Sequence, residues 1–337
     1  MKRQTDLFER ITCFHNLLVA AHKAARGKRD KPSVARFEFY LEQELLALQE
    51  ELHNRSYRPG AFFTFEVCDP KRRRICAAPF RDRVVHHAVC NVLEPFFEQR
   101  LIFDSYACRL GKGVHAAIAR AQQFASRYRY FLKCDVRKYF ESVDHAVLQT
   151  LLARLFKDAP LLALLNRIIE HAPPDAEPGK GLPIGNLTSQ HFANLYLGEL
   201  DHYLKDRLRV GGYLRYMDDL LLFADDKPTL HQWLAELRQF LQGNLRLQLK
   251  DKATLLAPVT EGIPFLGLRI YPGVLRLNQR TLRRFRRQVR GRERAYQAGR
   301  LSLDDLTQAI ASLFAHVAHA DTLPLRRHMV ENSLLVG

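Results

Sequence analysis

The 337-residue chain is short of acidic groups: 36 Asp plus Glu stand against 52 Lys plus Arg, leaving a formal net charge of +16 and a pI near 9.8. A charge of that sign and size favours a polyanionic partner, of which nucleic acid is the commonest. An anionic membrane is the competing partner. Against it, no apolar run is long enough to span a bilayer, and Met1-Lys2-Arg3-Gln4-Thr5-Asp6 is not followed by a signal-peptide core. The six cysteines (Cys13, Cys68, Cys76, Cys90, Cys108, Cys134) form no C-x-x-C pair and no zinc-like spacing with His. Reduced, mostly buried thiols are expected, in the cytoplasm of a bacterial host cell and with no membrane association. Internal repeats and low-complexity tracts are also missing.

What is present has the proportions of a folded protein, 47% hydrophobic and 26% charged, with length enough for about two to three globular units. The stretch on which the rest turns is Gly212-Tyr213-Leu214-Arg215-Tyr216-Met217-Asp218-Asp219-Leu220-Leu221-Leu222-Phe223. Its apolar runs are too short for a helix and suit strands, which predicts a β-hairpin with Asp218 and Asp219 at the turn, where a metal can reach them. An ordinary surface turn is the competing reading, because Asp favours turns.

Taken in order, the chain opens with a charged helical lead-in. Lys23, Arg26, Lys28, Arg29 and Lys31 cluster around Gly27 as a solvated loop or a nucleic-acid contact, and Leu41, Leu45, Leu48 and Leu52 mark one helix face. A strand over 61–68 is followed by Lys71-Arg72-Arg73-Arg74, four consecutive cations that repel one another unless an anion sits among them, so phosphate binding is expected. Pro79-Phe80-Arg81-Asp82-Arg83 opens a helix, and the loop 104–113 mixes Arg109, Lys112, an aromatic and glycines in a form suited to a nucleic-acid strand. Tyr130–Val136 is predicted as a buried strand ending in Asp135, followed by a helix capped by Ser142 or Asp144. Gly181-Leu182-Pro183-Ile184-Gly185-Asn186-Leu187-Thr188-Ser189-Gln190 leads into a further helix. Asp225-Asp226 is expected to be a solvated turn, 230–241 an amphipathic helix, and 265–271 a strand pair. Beyond Leu275, Arg280, Arg283, Arg284, Arg286, Arg287, Arg290, Arg292 and Arg294 surround Leu282, Phe285 and Val289 at helical spacing, as in a helix lying along a phosphate backbone.

Asp135, Asp218 and Asp219, from two separate strands, are what two-metal phosphoryl transfer needs. Mg²⁺ prefers hard oxygen ligands and keeps some waters, so few protein carboxylates suffice. Arg74 and its neighbours, Lys71 included, would hold a triphosphate, and a lysine near the second strand would protonate the leaving group.

Asp135 with Phe140 five residues on, Leu182-Pro183-x-Gly185, Tyr216-Met217-Asp218-Asp219, a lysine-bearing segment and Phe265-Leu266-Gly267 resemble, in order, the motifs of reverse transcriptases. Ile184 and Gln190, where most of that family carry Gln and Pro, make the stretch similar to the reverse transcriptases of diversity-generating retroelements. So do Arg74-Ile75, Phe80-Arg81-Asp82-Arg83, Ser105-Tyr106-Ala107-Cys108-Arg109 and Phe192-Ala193-Asn194-Leu195-Tyr196. The resemblance implies an α/β (α+β) right-hand polymerase: N-terminal extension and fingers over 1–129, a palm with an antiparallel sheet over 130–272 with finger elements near 160–190, and a short helical thumb over 273–337. It implies copying of a template-repeat RNA into cDNA with errors at template adenines. The metal set would be Asp135, Val136, Asp218 and Asp219, holding two Mg²⁺ ions or Mn²⁺. dNTPs would meet Lys71, Arg74, Phe140 as the steric gate, Ile184, Gly185 and Gln190. Lys252, or else Lys250, would be the proton donor. Template RNA and the RNA/cDNA duplex would meet Arg109, Lys112, Tyr216, Met217, Arg283, Arg284, Arg287 and Arg290, and a small basic accessory protein would bind the polymerase. A chain ending soon after the thumb leaves RNase H, endonuclease and integrase functions to other proteins. The alternatives are a retron-like, intron-type or phage-defence reverse transcriptase of ordinary accuracy, and an RNA-binding scaffold that keeps the fold.

Overall fold

A computed structural model describes residues 6–68, 72–173 and 175–331. Four helices lead: α1 (Leu7–Thr12), α2 (Phe14–Ala25), α3 (Pro32–Phe39) and α4 (Leu41–His53). The expected leucine stripe is the reason for α4, which buries Leu45, Leu48 and Leu52. β1 (Phe63–Cys68) and β2 (Arg72–Ala77) form an antiparallel hairpin with Phe63 opposite Ala77. Next comes α5 (Phe80–Glu98), whose Val84, Val85, Ala88, Val89 and Leu93 are fully buried and which packs along α2.

After α6 (Val114–Arg127) the chain enters the central sheet through β3 (Tyr130–Asp135). Then follow α7 (Tyr139–Ser142), α8 (His145–Leu155), α9 (Ala159–Glu170) and α10 (Leu187–His202). Of the two expected caps it is Asp144 that starts α8, accepting from Val147 N–H at 3.0 Å. Asp158 caps two helices at once: it accepts from Leu161 N–H at the start of α9 and from the Leu7 and Phe8 N–H groups of α1. That carboxylate ties the N-terminal layer to the rest of the molecule.

β4 (Gly212–Tyr216) and β5 (Asp219–Ala224) make the predicted hairpin, followed by α11 (Lys227–Leu245) and β6 (Leu255–Pro258). Asp226 is the N-cap of α11, accepting from Thr229 N–H, which accounts for the second acidic pair. The sheet is antiparallel throughout, in the order β4-β5-β3-β6. Strand alternation sorts its residues: Leu132, Cys134, Leu220 and Leu222 join the larger core with α8, α10 and α11. Phe131, Leu221, Phe223 and Ala257 face a second core made with α6. A separate meander, β7 (Ile263–Phe265), β8 (Leu268–Tyr271) and β9 (Val274–Leu277), completes that second core. The chain then runs through α12 (Gln279–Gln297), α13 (Leu303–Val317) and α14 (Leu323–Glu331). Phe285, Val289 and Val317 form a small third core there.

This is the α+β right-hand polymerase fold expected from the sequence. One expectation is corrected: Cys76, Cys90 and Cys134 are buried, but Cys13, Cys68 and Cys108 are exposed, so the thiols are not mostly buried. Among the described residues no helix is long and apolar enough to cross a membrane.

Candidate active site

The hairpin turn is built on a buried charge network. Met217 takes a left-handed backbone (φ 55°), which lets the chain reverse tightly between Tyr216 and Asp219, themselves paired across β4 and β5. Arg215, on the strand just before, is fully buried. Its Nη1 donates to the Met217 carbonyl at 3.0 Å and to Asn194 Oδ1 at 3.1 Å. Its Nε and Nη2 grip both oxygens of Asp201 on α10, at 2.8 and 2.6 Å, and Tyr213 Oη donates to the same carboxylate at 2.6 Å. A buried guanidinium is tolerated only when paired and hydrogen-bonded, and here it is both. The turn is therefore anchored from beneath to α10.

Asp135 and Asp219 stand directly opposite each other in the β3–β5 register, and Val136 N–H donates to the Asp218 carbonyl at 3.4 Å. The sheet thus brings together the three predicted carboxylates. Burial, the charges of Asp135 and Asp219, and only partial relief from Arg73 push the Asp218 carboxyl up to about 6. Asp219 is engaged by Lys133 Nζ at 3.2 Å, and that ammonium also donates to the Pro264 carbonyl. Among the described residues no three acidic, His or Cys side chains are closed into a ready metal cage. The donor set still fits Mg²⁺ or Mn²⁺: hard carboxylate oxygens whose mutual repulsion a divalent cation would relieve.

Of the two candidate lysines, Lys250 is the one registered against the site, since its N–H donates to the Asp135 carbonyl at 2.8 Å. Lys252 lies in the following single turn, and both are exposed.

The nucleotide-binding candidates converge through backbone contacts. Leu182 N–H donates to the Phe140 carbonyl at 2.7 Å, and Cys76 N–H of β2 donates to the Ile184 carbonyl at 2.9 Å. Asn186 Oδ1 accepts from Ala78 N–H. Gly185 is in the left-handed region (φ +115°), and a Cβ there would come within 2.8 Å of Ile75 Cγ2, so both the backbone angle and the close approach require glycine. Ile184 and Gln190 are half-buried, Gln190 in the first turn of α10. Lys71 lies outside the described residues. Arg74 pairs with Asp175 and Arg72 with Glu66. Alternation along β2 sends Arg73 to the other face, and its charge is the one that reaches Asp218.

The expected nucleic-acid contacts divide. Arg109 is spent inside the protein: only 6% of its side chain is exposed, and it binds Glu98 and the carbonyls of Ile102 and Ser105. It is a clamp for the 98–109 loop, a correction to the role expected from its glycine-rich surroundings. Lys112 lies over the Phe103 ring at 3.5 Å and donates to the Phe103 carbonyl. Tyr216 and Met217 are half-buried at the turn. On α12, Arg283, Arg287 and Arg290 are exposed on the side away from buried Phe285 and Val289, while Arg284 is half-buried. Lys133, Asp201 and Arg215 are site residues that motif reading missed, and Arg73 is expected from the sequence only as one member of the cationic run beside Arg74. The available signal was a charge standing inside an apolar strand, which applies to Lys133 and Arg215.

Opposed carboxylates on adjoining strands, an anchored acidic turn and a cationic hairpin over them define a nucleotidyl-transfer site of the right-hand polymerase type. The sequence model of the reverse transcriptase (RNA-dependent DNA polymerase) family matches residues 68–270, and the chain belongs to that family. It is similar to Protein YkfC of Escherichia coli, 27% identical over 270 residues that cover 67% of this chain and 71% of that protein. It is also similar to the group II intron-encoded protein LtrA of Lactococcus lactis, 20% identical over 297 residues, covering 68% of this chain and 50% of LtrA. Among solved structures, apo telomerase from Candida tropicalis shares the fold with a TM-score of 0.50 and 11% identity, over 80% of this chain and 59% of that one. The chain spans about half the length of LtrA and somewhat more of the telomerase.

Proposed function

We propose that the chain copies a template RNA into cDNA from dNTPs, and that it does so as the mutagenic polymerase of a diversity-generating retroelement. The first part follows from family membership together with Asp135, Asp218 and Asp219 meeting at one sheet end. What supports the second is Ile184, half-buried and fastened by its carbonyl to β2, in the segment proposed to meet the nucleotide. A glutamine there would hydrogen-bond around the incoming nucleotide, whereas isoleucine offers only van der Waals contact, and fewer directional restraints permit more mispairs.

In the reaction a primer 3′-hydroxyl attacks the α-phosphate of a dNTP and pyrophosphate leaves. Two Mg²⁺ ions held by Asp135, Asp218, Asp219 and the backbone at Val136 would lower the pKa of the attacking hydroxyl and offset charge on the leaving group. Arg73, on the face of β2 turned to Asp218, orients the triphosphate, with Lys71 two residues before it. Phe140 sets the sugar position, and Lys250 or Lys252 delivers a proton to pyrophosphate. We assign the fingers to residues up to 129, the palm to 130–272 and the thumb to 273–337, with the α12 arginines along the RNA/cDNA duplex. A small basic accessory protein completes the assembly.

Sequencing cDNA made on a defined RNA tests this reading: errors gathered at template adenines support it, and errors spread evenly over the four template bases sink it. The second reading, an intron-type reverse transcriptase of ordinary accuracy, is favoured by the likeness to LtrA. An RNA-binding scaffold would show the same biological output after Asp218→Asn.

A further inference from the structure

The N-terminal layer carries a concentration of positive charge that the polymerase site does not use. Residues Arg83, His87 and Asn91 recur every four positions on α5 and form one stripe facing the end of α2. Lys23 Nζ closes on it from α2, donating to Asn91 Oδ1 at 2.6 Å. Lys28, in the loop after α2, lies close enough to Arg83 to feel its charge. Beside the stripe is a shallow concavity of about 460 Å³ lined by Val19, His22, Lys23, Arg26, Gly27 and Arg29, so Lys23 belongs to both.

Two observations mark this as a place that wants an anion. First, Arg83 Nε is buried and donates to nothing, although a buried guanidinium donor left unpaired costs free energy. Second, among the described residues no carboxylate pairs with Lys23, Arg26, Lys28 or Arg83. Of the nearby acids, Glu38 is taken by Arg29, and Asp82 is turned to Tyr57 and Gly60. The mutual repulsion is felt in the titrations: burial, then Lys23, Lys28 and Arg83 all hold His87 below its ordinary range, and burial and Arg83 do the same to Lys28. Val19 is the one apolar side chain in the concavity, which has none of the aromatic anchors that a protein partner would need.

We propose that Lys23, Arg26, Lys28 and Arg83 form a phosphate-binding site on the outer side of the fingers, which takes the phosphodiester backbone of single-stranded template RNA outside the active site. The proposal rests on the reading that RNA is the template and not on the error pattern. A flat error spectrum would leave it standing, and its own failure would leave the mutagenic reading standing.

The test is the full chain with Lys23→Gln, Arg26→Gln and Lys28→Gln together; Arg83 is kept because its guanidinium also packs on the Phe80 ring. A fluorescein-labelled single-stranded RNA that extends well past the primer terminus is titrated at several salt concentrations by anisotropy. The triple variant should bind it roughly tenfold or more weakly, with the log–log salt slope reduced by about two, at about 0.7 per lost single-strand contact. Extension of a short primer–template duplex that ends near the active site should be unchanged. The melting temperature without RNA should stay level or rise, because like charges have been removed. Unchanged RNA affinity and slope overturn the proposal, as does a fall of several degrees in melting temperature, which would make these side chains structural. Two further arms separate the sources of the anion. Thermal stabilisation by inorganic phosphate or tripolyphosphate that the variant loses while RNA binding is unaltered would make this a small-anion site. Polyglutamate displacing the RNA from wild type but not from the variant would make it a protein-docking site.

Discussion

Arg215 and Asp201 form a two-pronged ion pair that is wholly removed from solvent, and the same guanidinium holds the Met217 carbonyl of the acidic turn. The fold has committed a buried charge pair, at considerable desolvation cost, to the position of one backbone turn.

Arg215→Met should therefore destabilise the protein by about 3–5 kcal/mol, because it strands the Asp201 carboxylate in the core. Urea denaturation of the single variant and of Arg215→Met with Asp201→Asn measures this, and the double variant should recover part of the loss. Equal stability of single and double variants would show that the two residues are not coupled.

Asp218→Asn should abolish polymerisation and yet stabilise the metal-free protein at neutral pH. The folded-state pKa of Asp218, pushed up to about 6, lies above the ordinary carboxylate value, so ionisation costs the folded state stability as pH rises from about 4 through 6. The variant escapes that cost, and its advantage over wild type should grow across this window to about 1–3 kcal/mol at pH 7 and vanish near pH 3. Thermal melts across pH with chelator present read it directly. Adding Mg²⁺ should raise the wild-type melting temperature and leave the variant's unmoved.

Because Arg72 and Arg74 already have acidic partners while the charge of Arg73 reaches Asp218, Arg73→Gln should raise KM for dNTPs about 10- to 100-fold. Arg72→Gln should change it by less than about threefold. Steady-state kinetics on a homopolymer template distinguishes them, and equal effects would contradict the assignment by strand face.

Ile184→Gln should lower misincorporation at template adenine with little loss of overall rate, measured by cDNA sequencing. Gly185→Ala should instead cripple the enzyme, since a Cβ meets Ile75 at 2.8 Å on a left-handed backbone.

Asp158→Ala removes the cap of α9 and the acceptor for two N–H groups of α1, and should cost about 2–3 kcal/mol, the sum of two ordinary caps. Denaturant midpoints would show it, with polymerase activity retained at low temperature.

Much of this molecule is legible in its sequence because local period and tertiary fold agree. The leucines of α4, the valines of α5 and the apolar runs around Asp218 declare their own elements. Asp135 at the end of its buried run reads alone as a cap or turn residue, and it gains meaning only as a partner for the two carboxylates of the hairpin. Arg215, Asp201 and Tyr213 were not legible as a unit, since nothing local links a helix-end Asp on α10 to an arginine fourteen residues later. Arg109 misled for the opposite reason: its glycine-flanked loop looks open, but Glu98 and two carbonyls fold it inward. Which arginine of β2 turns to the site depends on strand parity, which composition alone does not fix.

The hydrogen bond from Cys76 N–H to the Ile184 carbonyl, with Ile75 seated against Gly185, joins the cationic hairpin and the 182–186 segment into one mechanical part. If Arg73 takes the triphosphate as proposed, a movement of β2 toward it would be passed to residue 184 through that hydrogen bond. On the proposed reading, copying accuracy would depend on stiffness as well as shape, and a brace on β1 and β2 would be expected to sharpen the choice of base without touching residue 184.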